Sequence, residues 1–145
     1  MAILCVLSTA CGLNKNSTAG GFAIASESSL VKQAAKNGAL AICRGDLQNA
    51  RKFVFNDTDG PDGVDELVKA TGNLFQFLPG GVQSISVECP NARKINSNTY
   101  EAEIIIKDPS GSLPMVVNVV RTDSGWQLSC ASFFIAWMMA SQYQR

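Results

Sequence analysis

The spacing of apolar residues changes near Gly80, and this change constrains the fold more than any other feature of the sequence. Between Leu30 and Phe77 apolar residues recur every three or four positions, which is the period of an amphipathic helix. From Val82 onward they alternate with polar residues, which is the period of a strand with one buried face. Helices followed by strands predict an α+β domain.

Three helices are predicted before the change of period, at residues 30–44, 47–53 and 64 to about 77. Ser28 or Ser29 is a candidate N-cap of the first, and Asp46 and Asp62 are candidate caps of the other two. Gly45 is expected to end the first helix in a left-handed conformation. Gly38 weakens the middle of that helix by ~1 kcal/mol relative to alanine.

Four strands are predicted after the change of period, at residues 82–89, 100–107, 113–120 and 126 to about 133. Hairpin residues occupy the three links between them: Asn96-Ser97-Asn98, Asp108-Pro109-Ser110-Gly111 and Asp123-Ser124-Gly125. Three short links in succession predict a four-stranded antiparallel meander.

The composition excludes several classes of function. The chain has 145 residues, which suits one domain, and no histidine, which excludes Ser-His-Asp and Cys-His catalysis. Twelve basic and twelve acidic residues give zero net charge, and the basic residues form no cluster larger than a pair. Nucleic acid is therefore not expected as a partner.

Residues 1–11 resemble the end of a bacterial lipoprotein signal. An apolar run ends in the small residues Ser8, Thr9 and Ala10, and Cys11 follows. The resemblance implies that Cys11 is the lipidated residue, although Ser8 stands where such signals usually have Leu. Residues 12–28 are rich in Asn, Ser, Thr, Gly and Ala, which predicts a flexible linker before a domain at residues 29–145. The alternative is a buried first strand at residues 3–7 of a cytoplasmic protein.

The domain resembles the nuclear transport factor two-like superfamily over roughly residues 29–132. Residues 41–54, Ala-Ile-Cys-Arg-Gly-Asp-Leu-Gln-Asn-Ala-Arg-Lys-Phe-Val, are similar to its opening of helix, Gly-Asp and helix. Residues 119–128, Val-Val-Arg-Thr-Asp-Ser-Gly-Trp-Gln-Leu, are similar to its closing hairpin. Bacterial lipoproteins with a lumazine-binding-like domain of unknown function share this layout, including the N-terminal Cys.

The resemblance implies a curved sheet that wraps around the helices and leaves a cone-shaped cavity. Catalytic relatives such as ketosteroid isomerase and scytalone dehydratase use Asp, Tyr or His inside that cone. No such set maps onto this sequence, and the motifs that match are structural ones.

The acidic loop at residues 57–66 has two interpretations. Clustered Asp residues favour calcium, but the EF-hand pattern fails because Pro61 and Asp62 stand at its fifth and sixth positions and Val68 stands at its twelfth. The favoured interpretation is a solvated turn whose Asp residues cap the next helix. Neither a metal nor a cofactor is expected.

Cysteines and aromatic residues supply the candidate pocket or core positions, which are Cys43, Phe75, Trp126 and Cys130. Cys43, Cys89 and Cys130 are expected to be small buried apolar residues. A disulfide from Cys43 to either of the other two is the alternative, and no Cys-x-x-Cys spacing indicates a metal or redox motif.

Residues 133–140 form a run of eight apolar residues before a polar end. The run is compatible with a strand that continues into a short helix closing the fold. It is also compatible with an exposed patch for a homodimer or a protein partner. Phe134, Trp137 and Met138 are the candidate interaction residues.

These observations favour a non-catalytic lipoprotein of the bacterial cell envelope, held to the membrane by a lipid anchor, that acts as a small-ligand-binding or protein-interaction module. The alternative is a small-molecule enzyme, isomerase- or dehydratase-like, that uses a carboxylate in an apolar cone. Glu88, Glu101 and Glu103 alternate outward in the predicted strands, which disfavours that alternative.

Overall fold

The computed structural model describes residues 26–75 and 80–143. Within these ranges the α+β class predicted from the sequence is confirmed. In chain order the elements are α1 (Glu27–Arg44), α2 (Leu47–Phe53), β1 (Val54–Phe55), α3 (Gly63–Phe75), a 3₁₀ turn (Val82–Ser84), β2 (Ser86–Asn96), β3 (Thr99–Asp108), β4 (Gly111–Thr122), β5 (Gly125–Ser129) and α4 (Cys130–Tyr143). Cys11 and the predicted signal lie outside the described residues, as does the predicted linker up to residue 25.

The sheet is mixed and has the strand order β1-β5-β4-β3-β2. The strands β2 to β5 pair antiparallel with their neighbours in sequence. The two-residue β1 adds a parallel edge, pairing Val54 with Leu128 and Phe55 with Ser129. The sheet therefore has five strands, and the prediction of a purely antiparallel four-stranded sheet is wrong in this respect.

Local sequence signals set both ends of α1 and the start of α2. Gly45 has φ 71°, and its N–H donates to carbonyls in the last turn of α1, as predicted. Asp46 accepts a hydrogen bond from Asn49 N–H and caps α2, also as predicted. The N-cap of α1 is Ser26 rather than Ser28 or Ser29, because the Ser26 hydroxyl accepts from Ser29 N–H at 3.1 Å. The helix thus begins at Glu27, before the start predicted for the helix at residue 30 and for the domain at residue 29.

Several strand ends differ from the prediction, and β2 ends at Asn96 rather than at Cys89. Residues 82–84 form a 3₁₀ turn, so β2 begins at Ser86 rather than at Val82. The strand β5 ends at Ser129 rather than near Phe133, and Cys130 is the first residue of α4. Trp126 and Leu128 lie on the strand as predicted, whereas Cys130 does not.

One face of the sheet is buried and the other is solvated. Along β4 the side chains of Met115, Val117 and Val119 are buried, whereas the alternating Val116 and Asn118 are exposed. On the outer face the described acidic residues pair with basic or amide groups across strands: Lys107–Glu88, Arg93–Glu101 and Asn91–Glu103. Ion pairs this exposed contribute little to stability.

Helix α1 covers the inner face and contacts β2, β3, β4 and β5. Its buried side is built mainly from small residues, among them Ala34, Ala35 and Ala39. At Gly38 the helix approaches so closely that an added Cβ would lie 2.8 Å from Leu128 Cβ and 3.3 Å from the Phe53 carbonyl oxygen. The residue that weakens the helix locally is therefore the residue that lets it pack on the sheet.

Among the described residues, no helix combines the length and apolar character needed to cross a membrane.

Candidate functional site

Helix α4 is apolar on both sides. None of its fourteen residues is charged. Its inner side packs on the body of the domain through Phe133, which is fully buried. Trp137 stacks on Phe133 at a centroid distance of 6.2 Å and meets Phe75 edge to face at 5.3 Å. A surface helix ordinarily has a polar outer face, and α4 lacks one.

The outer side of α4 presents four large apolar side chains, which we call the outer stripe. Phe134, Ile135, Met138 and Met139 are exposed by 50%, 57%, 47% and 55% respectively. Ile135, Met138 and Met139 follow Phe134 by one, four and five positions, and this spacing places the four side chains on one face of the helix. A contiguous apolar patch of this kind marks a contact site more often than scattered apolar residues do.

The N-terminus of α4 is fixed by a side chain from far back in the chain. The Ser129 hydroxyl donates to Asp57 Oδ2 at 2.5 Å, and Ala131 N–H donates to Asp57 Oδ1 at 2.8 Å. Ser132 N–H in turn donates to Ser129 Oγ at 3.1 Å. Asp57 and Ser129 together satisfy donors that a helix start would otherwise leave unpaired.

The loop that carries Asp57 is held by its own side chains. The Asn56 amide donates to the carbonyl oxygens of Gly60 and Pro61, and its Oδ1 accepts from the Thr58 hydroxyl. At Gly63 an added Cβ would lie 1.9 Å from Thr58 Oγ1, so only glycine allows α3 to begin against this turn.

A cavity of about 370 Å³ lies between this loop, α3 and α4, and we call it the flank cavity. Its wall is mostly apolar, and it opens beside the outer stripe, with which it shares Phe134. The lining residues are Thr58, Gly60, Gly63, Glu66, Leu67, Ala70, Cys130 and Phe134.

The cysteines described by the structure are free thiols: Cys43, Cys89 and Cys130. Cys43 and Cys130 are buried as predicted, whereas Cys89 is only half-buried. Burial raises the pKa of the Cys43 thiol to about 12. Burial, followed by the nearby charge of Asp57, raises the pKa of the Cys130 thiol to about 11. The thiol of Cys130, a residue of the flank-cavity wall, is therefore neutral at neutral pH.

The residues predicted as sites occupy several places. Cys130 and Phe134 lie together in the wall of the flank cavity. Phe75 and Trp137 contact each other and line a separate cavity of about 220 Å³. The half-buried Trp126 packs edge to face on Tyr100 at 5.3 Å and lines neither of these two cavities. Met138 lies in the outer stripe, and Cys43 is part of the core.

Asp57 has a different role from the one the sequence predicted for the acidic loop. Its carboxylate caps the last helix, α4, rather than the next helix, α3. Within residues 26–75 and 80–143, no three His, Cys, Asp or Glu side chains stand close enough together to hold a metal ion. No signal near Asp57 in the sequence indicates a partner more than seventy residues away.

No protein-family model matches the sequence, and no curated protein matches it either. Among solved structures, an NTF-2-like protein of unknown function from Shewanella oneidensis MR-1 has a TM-score of 0.42 and 15% identity, with 68% of this chain and 91% of that chain covered. A de novo designed protein with a curved β-sheet has a TM-score of 0.43 and 13% identity, with 67% and 91% covered. With TM-scores below 0.5, neither likeness carries an argument about the fold or the function of this chain.

Replacing Asp57 by alanine should destabilise the domain by about 2 kcal/mol, because the start of α4 loses a capping acceptor and a favourable charge. The measurement is urea unfolding followed by circular dichroism. Asp59→Ala in the same loop is the matched control and should change stability by less than ~0.5 kcal/mol. Equal effects of the two substitutions would contradict the role assigned to Asp57.

Proposed function

We propose that the chain is a non-catalytic lipoprotein of the bacterial cell envelope, anchored through Cys11, whose nuclear transport factor two-like domain acts as an interaction module. The observation that carries the interaction role is the outer stripe, which exposes four large apolar side chains on a helix without charges. The anchoring rests on the lipoprotein-like sequence of residues 1–11.

The partner that fits the outer stripe best is a second copy of the chain. The stripe is uncharged and the chain has zero formal net charge, so two copies approach without electrostatic repulsion. Two α4 helices related by a two-fold axis would cover each other's stripes, because the same patch serves both partners. A membrane surface fits less well, since helices that bind anionic lipid have Lys or Arg beside their apolar face.

The expected strength of this association is low in solution. Moving each stripe residue from half exposure to full burial contributes on the order of 1 kcal/mol, so two stripes supply roughly 8 kcal/mol. Association itself costs at least ~4 kcal/mol. A lipid anchor would raise the local concentration of the domains and so favour a contact that is weak in solution.

The second candidate function, a small-molecule enzyme, requires a desolvated carboxylate. The buried polar residues within the described ranges are Thr71, Gln127 and Ser129, and the acidic residues there lie at the surface or are half-buried. The inner face of the sheet, where the relatives named above have their catalytic groups, is packed with apolar side chains. No specific observation favours this second candidate.

Replacing Cys11 by serine should release the protein from the membrane fraction of a bacterial host, because a thioether-linked lipid requires the Cys11 sulfur. The measurement is fractionation together with metabolic labelling by a fatty acid. Cys5→Ser is the matched control and should stay labelled and membrane-bound, since Cys5 precedes the predicted cleavage point. A Cys11→Ser protein that fractionates and is processed like the wild type would refute the anchor.

Replacing Ile135 by aspartate should abolish self-association, because it places a charge at the centre of the apolar contact. The measurement is sedimentation equilibrium up to millimolar concentration, on full-length chains that also have Cys11→Ser to prevent lipidation. Ile95→Asp is the matched control, since Ile95 is 48% exposed on β2 and Ile135 is 57% exposed on α4. A reference chain that stays monomeric at the highest concentration would remove the proposal of a homodimer.

A further inference from the structure

We propose that the flank cavity is a binding site for a small, uncharged or cationic aromatic molecule that bears one hydrogen-bond donor. The inference goes beyond self-association, because it assigns a ligand to a cavity beside the outer stripe. It rests on the volume of the cavity, the chemistry of its wall and the rigidity of the elements that form it.

The volume and the wall suit a molecule of about two fused rings. Ligand sites in proteins usually have volumes of roughly 300–1,000 Å³ and mainly apolar walls with a few polar groups. The flank cavity has about 370 Å³ and is lined on its apolar side by Leu67, Ala70, Cys130 and Phe134. Phe134 offers a ring face or edge to an aromatic ligand.

The polar groups at the cavity are hydrogen-bond acceptors. The single hydroxyl hydrogen of Thr58 is directed to the Asn56 side chain and the Gly60 carbonyl oxygen, which leaves the Thr58 oxygen lone pairs available. The Glu66 carboxylate has no ion-pair partner among the described residues. A ligand with an O–H or N–H group is therefore favoured, and a carboxylate ligand is disfavoured by the charge of Glu66.

The cavity is preformed rather than dependent on a ligand for its shape. Asn56 fixes the loop, and Asp57 ties that loop to the start of α4, so two of the three walls are connected by hydrogen bonds. A preformed site binds with less loss of conformational entropy than one that must be ordered. Cys130, which is buried at the start of α4, anchors this part of the cavity wall to the core.

Three ligands with the same ring system test the chemistry of the cavity: 1-naphthalenemethanol, 1-naphthalenemethylamine and 1-naphthoate. Calorimetric titration into the full-length Cys11→Ser chain should show binding of the alcohol and the amine and none of the carboxylate. Glu66→Gln should weaken binding of the amine by roughly two- to fivefold and leave the alcohol unchanged. Equal binding of all three ligands, or of none, would overturn the proposal.

Ala70→Phe should fill the cavity and weaken binding of the alcohol by about tenfold or more, which corresponds to at least ~1.4 kcal/mol. Asn73→Phe is the matched control, because Asn73 is exposed on the same helix and lines a different cavity. This control should bind as the reference does. Equal loss in both variants would place the ligand elsewhere and overturn the assignment.

Ile135→Asp separates this site from the proposed homodimer, because Ile135 belongs to the outer stripe and does not line the cavity. Unchanged binding by this variant supports a site complete within one chain, whether or not the chain dimerises. Lost binding would contradict the flank cavity as the site and indicate a ligand held between two copies.

Discussion

The close contact between α1 and the sheet at Gly38 is the constraint on which the rest of the structure depends. A helix can approach Leu128 this closely only where a side chain is missing, and the alanines around Gly38 extend the contact along the helix. The inner face is therefore filled with side chains such as Ile104, Val117 and Val119, each no more than 1% exposed. Because α1 occupies this face, the surfaces available for binding lie outside it, beside α3 and α4.

Helix α4 carries the surface proposed for self-association and part of the wall of the cavity proposed for a ligand. Its inner side completes the core through Phe133 and Trp137, and its outer side leaves the stripe exposed. Asp57 fixes the position of α4, which bears the stripe, and also that of the flank cavity, because the loop that caps α4 forms one wall of this cavity. A single set of hydrogen bonds thus holds the surface proposed for a second copy and the cavity proposed for a small ligand in one fixed relation.

The elements that the sequence predicted correctly have local causes. Gly45 ends α1 and Asp46 begins α2 through hydrogen bonds made within one helical turn. In β3 and β4 apolar and polar residues alternate, so the sequence itself indicates which side chains face the core. The features that the sequence did not predict are contacts between distant residues and one very short strand. Asp57 reaches Ser129 across the fold, and β1 has only two residues, too few for an alternation to be visible. The run at residues 133–140 fits a strand or a helix by composition, and the cap at Ser129 decides for the helix. Cys130 and Phe134 then fall one turn apart on α4, a pairing that a strand at Cys130 would not produce.

The most direct test of this account is the change in unfolding free energy caused by Gly38→Ala, measured by urea denaturation. Helix propensity alone predicts that alanine stabilises an interior helix position by ~1 kcal/mol. Close packing predicts the opposite sign, because the new methyl group must displace Leu128 Cβ or the helix itself, at a cost of roughly 1–3 kcal/mol. A lower unfolding free energy in the variant would support a filled inner face with binding surfaces outside it. A higher one would mean that α1 lies further from the sheet than described, with room for a ligand inside.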